Sequence, residues 1–147
     1  MNEFMEIVFL AQVGATMAMV GIIWFAQIVH YPLFAKVDPG SFAHYQDFNL
    51  RRTVLIVIPL QMIEIGTALL LAWKTPAGLL PVQAWSNLIL IVLIWCSTGF
   101  LQVPRHYMLT RGFDAKAINL LIGTNWIRTI CWSIRCVIVL WMMKNLM

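Results

Sequence analysis

Two arginines lie inside an apolar stretch that has the length of one membrane crossing. Residues 124–143 read TNWIRTICWSIRCVIVLWMM, and at about 100° per residue one helix face carries Asn125, Arg128, Trp132 and Arg135. An arginine facing lipid near the bilayer centre costs roughly 2.5 to 17 kcal/mol, so these side chains are expected to face protein, water or a ligand. The sequence leaves two roles open for them: hydrogen bonds that tie helices together, or direct participation in a site.

A glutamate occupies the middle of a second apolar stretch. Glu64 lies near the centre of residues 53–73, close to the bilayer midplane. An ionisable group at that depth is a candidate functional residue whose partner should be identified, and by depth the best partner is Arg135. A buried Glu64–Arg135 ion pair and catalysis by the Glu64 carboxylate both remain open.

The three histidines His30, His44 and His106 could act on protons or bind a metal. Imidazole is the most usual general base near pH 7 and a common ligand of Zn, Cu and Fe. No H-x-x-x-H or H-E-x-x-H pair fixes a metal geometry. We therefore predict that His30 or His106 is a catalytic base, and we retain all three as candidate ligands of a metal ion or haem iron.

Four apolar segments must position these residues. Of the chain's 147 residues, 61% are hydrophobic and only 11% are charged, and the mean hydropathy is +0.82. A soluble domain cannot bury so much apolar surface in one core. The sequence predicts an all-α integral membrane four-helix bundle, a single transmembrane domain over residues 1–147 with spans at about 7–35, 53–73, 82–103 and 124–143.

The connectors carry recognisable turn and helix signals. Phe42, Tyr45 and Phe48 predict a short interfacial helix in the first long connector, and residues 115–123 predict another helical segment in the second. Pro32 is expected to kink or loosen the first span one turn from its end, and Pro104 to end the third. The residues Gly112-Phe113-Asp114 predict a turn and a helix N-cap.

Polar residues fall on one face of each span. Besides the fourth span, these faces contain Gln12, Thr16, Gln27 and His30 in the first, Thr53, Gln61 and Glu64 in the second, and Asn87, Thr98 and Gln102 in the third. Four inward polar faces predict a bundle with a polar or ligand-filled centre.

The distribution of cations predicts the orientation. The two longer connectors carry Lys36, Arg51, Arg52, Arg105, Arg111 and Lys116, six cations, against Lys74 and Lys144 on the side of the termini. The positive-inside rule places the connectors in the cytoplasm and both termini outside. This accounts for most of the net charge of +4 without nucleic-acid binding. All three histidines then lie at the cytoplasmic end.

Several short motifs carry a family resemblance. They are HYPLF at 30–34, Arg51-Arg52, Glu64, PRH at 104–106, RGFD at 111–114, NWIRT at 125–129, and the later Trp132 and Arg135. Together they resemble a group of small bacterial four-span membrane proteins of unknown function, which implies the bacterial inner membrane. In span pattern and scattered positions the chain is also similar to the family that includes the anthrone oxygenases. That similarity implies oxidation of a phenolic ring system by O2, with His30, His106 and Arg128 matched first to the activity.

The leading hypothesis is a membrane-embedded oxidoreductase of oxygenase type that acts on a small apolar aromatic or quinone-like molecule. We expect an apolar slot lined by Trp24, Trp95, Trp126 and Trp132. His30 or His106 would remove a proton, and Arg128, Arg52 and Asn125 would stabilise the oxyanion. The remaining predicted substrate-binding residues are Gln27, Tyr45, Gln102, Trp132 and Arg135.

Two alternatives from other classes remain. A small proton-coupled transporter or channel, as a homo-oligomer, would use Glu64 with Arg128 and Arg135. An accessory subunit of a larger membrane complex would need none of the histidines.

Overall fold

The computed structural model describes residues 2–146, which form four long helices. They are α1 (Glu3–Phe34), α2 (Phe42–Trp73), α3 (Pro81–Leu109) and α4 (Ala115–Leu146). Each is long and apolar enough to cross a bilayer, as expected for an integral membrane protein. The described residues contain no β-strand, and the predicted all-α four-helix bundle is confirmed.

The helices form a ring in which chain neighbours pack side by side. Helix α1 packs against α2 and α4, and α3 packs against the same two helices, so α1 faces α3 across the centre and α2 faces α4. Residues 35–41 and 110–114 connect helices at one end, called here the connector end. The link at 74–80 lies at the opposite end, with the start of α1 and the end of α4. This is an up-and-down bundle with short loops.

The bundle buries polar residues among its apolar core and exposes large apolar side chains on its outer surface. Large apolar side chains such as Leu55, Phe100 and Val137 are exposed on the outer surface. The buried polar residues are Gln12, Thr16, Gln27, Gln46, Gln61, Glu64, Gln83, Asn87, Ser97, Gln102, Asn125, Arg128, Thr129 and Arg135. Most of the predicted inward polar residues are therefore buried, whereas His30 and Thr98 are half-buried and Thr53 is exposed. The apolar outer surface is suited to lipid.

Local signals at the helix starts explain where α1 and α4 begin. The Asn2 side chain accepts a hydrogen bond from the Met5 N–H at 3.0 Å. Asp114 Oδ1 accepts from the N–H groups of Lys116 and Ala117 at 2.9 and 3.0 Å. Gly112 has a φ of +150°, a conformation that favours glycine. The predicted turn and N-cap at 112–114 are confirmed.

Two prolines distort their helices without ending them. A π-helical turn precedes each one, at Ala26–His30 before Pro32 and at Thr98–Gln102 before Pro104. Proline lacks an N–H and its ring clashes with the carbonyl four residues earlier, and a wider turn accommodates both effects. The loosening predicted at Pro32 is confirmed, whereas the prediction that Pro104 ends its helix is wrong, because α3 continues to Leu109.

The predicted interfacial helices are not separate elements. The segment with Phe42, Tyr45 and Phe48 forms the first turns of α2, and residues 115–123 form the first turns of α4. Phe42 is fully buried against Phe34 at the connector end, so the bundle core extends beyond the predicted span limits. The helices therefore continue without a break where the sequence predicted a boundary.

The first half of α2 stands away from the other helices. Between Gln46 and Gln61 this helix has no buried residue. Thr53 is exposed and Val57 is half-buried, although they share a face with the fully buried Glu64. This separation opens a cavity inside the bundle.

Candidate functional site

A cavity of about 290 Å³ lies between the first half of α2 and the other three helices. Its walls are mainly apolar, with Met19, Ile23, Val57 and Trp132 among them. Its polar lining residues are His30, Tyr31, Asn49, Thr53, Gln61, Thr98, Gln102, His106 and Arg128. The volume is near the lower limit of small-molecule pockets, which run from about 300 to 1,000 Å³. A small ligand with a polar end and an apolar body suits this composition.

Tyr31 links the cationic and the imidazole groups at the polar end. Arg128 Nη2 donates to the Tyr31 hydroxyl at 3.0 Å, and that hydroxyl lies 3.4 Å from His106 Nε2. The Gln46 side-chain amide lies 2.9 Å from His106 Nδ1 on the other side of the ring. Partners at both ring nitrogens fix the orientation of the imidazole.

Neutral side chains hold Arg128. Its Nε donates to Asn125 Oδ1 at 2.9 Å, and its Nη1 donates to Thr98 Oγ1 at 3.3 Å. Asn125 in turn donates to Gln27 Oε1 at 2.8 Å. Within residues 2–146 no carboxylate lies within ion-pair distance of Arg128, which is only 6% exposed. The cavity therefore contains a buried positive charge whose protein partners are all uncharged.

His30 lies on the same cavity wall and is half-buried. Its ring centroid is 5.0 Å from that of Phe34 and 5.8 Å from that of Tyr31. The Phe34 ring is also 6.5 Å from the His106 ring. The two imidazoles thus border one aromatic cluster, and both predicted catalytic histidines line the cavity.

The π-helical turn in α1 explains why Tyr31 points inward. On a regular helix His30 would continue the inward face of Gln12, Thr16 and Gln27. The π-helical turn at Ala26–His30 contains one extra residue, so the inward-facing position falls on Tyr31 instead of His30. Tyr31 is consequently buried in the interior, and His30 moves to the side of the cavity.

Glu64 lies behind the cavity wall. It forms an ion pair with Arg135 Nη1, the partner predicted from depth, and both side chains are 0% exposed. The Trp132 indole N–H lies 3.2 and 3.1 Å from the two Glu64 oxygens, and the Thr16 hydroxyl donates at 3.1 Å. The predicted ion pair is confirmed. The structure corrects the prediction of Glu64 as a catalytic group in the site, because it does not line the cavity.

The other predicted binding residues divide into three groups. Gln102 and Trp132 line the cavity, while Gln27 and Asn125 lie behind it in the hydrogen-bond network of Arg128. The structure places the remaining three off the cavity wall: Tyr45 packs on the Phe34 and Phe42 rings, Arg52 is exposed over the Phe48 ring at 5.1 Å, and Arg135 pairs with Glu64. Arg52 points outward because the inward positions at that level are Asn49, Leu50 and Thr53.

The predicted tryptophan slot is wrong. Only Trp132 of the four lines the cavity. Trp24 and Trp126 form an edge-to-face pair at 5.8 Å on the outer surface, where Trp24 Nε1 donates to Ser133 Oγ at 3.1 Å. Aliphatic side chains of α1 and α2 supply most of the apolar wall instead.

The structure does not bring the three histidines together. His44 is exposed at the start of α2 and does not line the cavity. Across residues 2–146 no three His, Cys, Asp or Glu side chains are grouped so that they could hold a metal ion. His44 faces outward because the inward side of the same turns is taken by Phe42 and Gln46. The predicted ligand set of His30, His44 and His106 is therefore not formed.

Sequence reasoning missed Tyr31, Gln46 and Asn49 as site residues. Tyr31 follows His30 directly, but a periodic pattern without the π-helical turn places it off the inward face. The sequence places Gln46 and Asn49 in a connector, whereas the structure includes both in α2. An uninterrupted helix from residue 42 onward would have placed both on the face of Thr53.

Comparison with protein-family models, with curated proteins and with solved structures finds no match to this chain.

Proposed function

We propose that this chain is a membrane-embedded oxidoreductase of oxygenase type that acts on a small apolar aromatic or quinone-like molecule in the cavity. The observation that carries the proposal is the environment of Arg128, which lines the cavity, is 6% exposed and has only uncharged partners among the described residues. A buried guanidinium is stabilised by a nearby negative charge. A phenolate or enolate oxygen of a bound aromatic molecule supplies that charge.

The reaction begins with proton removal. His106 or His30 accepts a proton from a CH2 group activated by the ring system, and the negative charge moves onto the oxygen of the substrate. Arg128 polarises the Tyr31 hydroxyl, and these two groups stabilise the oxyanion.

Dioxygen is the oxidant of the second step. The carbanion forms a carbon–oxygen bond with O2, and the imidazolium returns its proton to give a hydroperoxide. Loss of water, with the remaining hydrogen of the original CH2, leaves a carbonyl group. One oxygen atom of O2 is in the product and the other is in water, so the atoms and electrons balance. The resemblance to the anthrone oxygenases supports this reaction class.

The substrate is supplied by the bilayer. Val54 and Ile56 of α2 line the cavity and are exposed on the surface of an apolar helix. A lipid-dissolved molecule enters beside the first half of α2. We place the connector end in the cytoplasm of a bacterial cell from the six-to-two distribution of cations.

The test is O2 uptake by the protein in lipid nanodiscs with anthrone as the probe substrate. His30→Ala and His106→Ala remove the two cavity imidazoles, and His44→Ala is the matched control because His44 is exposed outside the cavity. We expect at least one cavity variant to lose activity by about 100-fold or more, the usual range for general-base catalysis, and the control to retain it.

The proposal fails if no variant differs from the wild-type protein, or if the wild-type protein consumes no O2 with anthrone or related hydroxyaromatic compounds. If the wild-type protein shows no O2 uptake, two alternative functions remain: a transporter that uses Glu64, Arg128 and Arg135, and an accessory subunit of a membrane complex. Proton-coupled uptake of a solute into proteoliposomes by the wild-type protein would then favour the transporter.

A further inference from the structure

We infer that the ligand of this cavity carries polar atoms at two ends, and that the second end hydrogen-bonds the side-chain amide of Gln61. The inference rests on the proposed function for the aromatic nature of the ligand. Gln61 lines the cavity and is only 1% exposed. Among residues 2–146 its Nε2 has no hydrogen-bond partner.

Gln61 differs in this respect from Gln102, Thr98 and Arg128, which also line the cavity. Gln102 Nε2 donates to Thr124 Oγ1 at 3.4 Å, the Thr98 hydroxyl donates to the Ile94 carbonyl at 2.8 Å, and the nitrogen atoms of Arg128 are partnered as described above. The other buried donors without a partner in the described chain belong to Gln83, Asn87, Trp95, Arg105 and Arg135. None of these five residues lines the cavity. Gln61 is thus the unpartnered amide in a position to meet a ligand.

An unpartnered amide inside an apolar bundle is unfavourable. Burial removes its hydrogen bonds to water, and the helices offer no replacement at this depth. An acceptor on a bound molecule restores the lost bond. The cavity therefore favours a ligand with an oxygen atom at the Gln61 end over one that is purely apolar there.

The position of Gln61 sets the shape of the ligand. Gln61 lies about one turn before Glu64 on α2, and Arg128 lies about one turn before Trp132, which donates to Glu64. Since α2 and α4 run in the same direction, Gln61 and Arg128 differ in depth by no more than about one helical turn, roughly 5.4 Å. They belong to helices that face each other across the centre.

The wall between them is apolar. Met19, Ile23 and Val57 line the same cavity. A molecule that contacts both polar positions is consequently a ring system with an oxygen function at each end, such as a dihydroxyaromatic compound or a quinone. A monophenol with an otherwise apolar body satisfies only Arg128 and Tyr31.

The experiment compares two probes that differ by one hydroxyl group. One is a naphthol, and the other is a naphthalenediol with a hydroxyl group at each end of the ring system. Binding to the protein in nanodiscs is measured by calorimetry and corrected with empty nanodiscs for partition into lipid. We expect the wild-type protein to bind the diol about three- to tenfold more tightly, the effect of one hydrogen bond.

Gln61→Leu should remove this preference, because the variant has no side-chain donor for the second hydroxyl group of the diol. Gln61→Met, which keeps the shape of the side chain, provides a second variant if the first does not fold. Gln83→Leu is the matched control, because Gln83 also has a buried Nε2 without a partner in the described chain but lies away from the cavity. The control should keep the preference for the diol.

The inference is overturned if a folded Gln61 variant keeps the full preference, or if the wild-type protein shows none. Failure of the wild-type protein to bind either probe overturns the inference together with the proposed function. Binding with the Gln61-dependent preference but without O2 uptake supports the inference and contradicts only the proposed chemistry.

Discussion

Arg128 and Arg135 lie about two turns apart on the same face of α4, yet their surroundings differ in charge. Arg135 pairs with the Glu64 carboxylate and does not line the cavity. Arg128 lines the cavity, and its partners are the uncharged side chains of Asn125, Thr98 and Tyr31. The first arrangement is electrically balanced and the second is not. Arg135 therefore ties helices together, whereas Arg128 borders the cavity in which we propose the site.

Glu64→Gln should destabilise the protein strongly. The substitution leaves Arg135 as an unpaired charge with a fully buried side chain, and breaking one partner of a buried pair costs about 3 to 5 kcal/mol. Reversible unfolding in mixed detergent micelles measures the change in free energy. Asp47→Asn is the control: it breaks the exposed Asp47–Arg51 pair and should cost less than about 1 kcal/mol. Equal effects of the two variants would contradict a structural role for the buried pair.

Tyr31→Phe should reduce O2 uptake by about tenfold or more while the fold is retained. The variant removes the hydroxyl group that accepts from Arg128 and lies beside His106 Nε2, so one donor to the oxyanion is lost. Steady-state O2 uptake and circular dichroism measure the two expectations. Tyr107→Phe is the matched control, because Tyr107 is exposed at the connector end. Full activity of the Tyr31 variant would exclude its hydroxyl from the reaction.

At the scale of the helices, the regular helical period correctly predicts which side chains face inward wherever the backbone is a regular α-helix. It fails where a π-helical turn interrupts the helix. The inward faces with Thr16, Glu64 and Arg135 follow a regular helix, and these side chains meet in the structure. The π-helical turn before Pro32 changes the register, so Tyr31 was missed. The tryptophans were misplaced for another reason: composition indicates that an aromatic residue is apolar but not whether it faces lipid or the cavity.

The first half of α2 should be accessible to reagents from its inner side. In a variant without native cysteines, Thr53→Cys should react readily with a small membrane-permeant maleimide, because Thr53 lines the cavity and is exposed. Ala68→Cys, at a fully buried position on the same helix, should react much more slowly. Mass spectrometry over a time course measures both rates. Equal rates would contradict the separation of α2 from the bundle, and a bound ligand should slow labelling of Thr53→Cys only.

For the whole molecule, the cations predict that both termini lie outside the cytoplasm. A green fluorescent protein fused after the last residue should remain dark in a bacterial host, while an alkaline phosphatase fused there should be active, because each reporter works on one side of the inner membrane. Glutamate substitutions at Arg51 and Arg52, together with added lysines at the link 74–80, should weaken this preference. If the green fluorescent protein fused to the unaltered chain is fluorescent, the C-terminus lies in the cytoplasm and the predicted orientation is wrong.

Because the first half of α2 stands away from the other helices, we expect the reaction rate to depend on the concentration of substrate in the bilayer rather than in water. Val54 and Ile56 line the cavity and are exposed on an apolar helix, so we expect lipid acyl chains to occupy the cavity when no ligand is bound. Lipid is then both the solvent of the substrate and its competitor. The rate should follow the mole fraction of substrate in the bilayer, so adding empty lipid vesicles at constant total substrate dilutes the reaction even though the aqueous volume is unchanged.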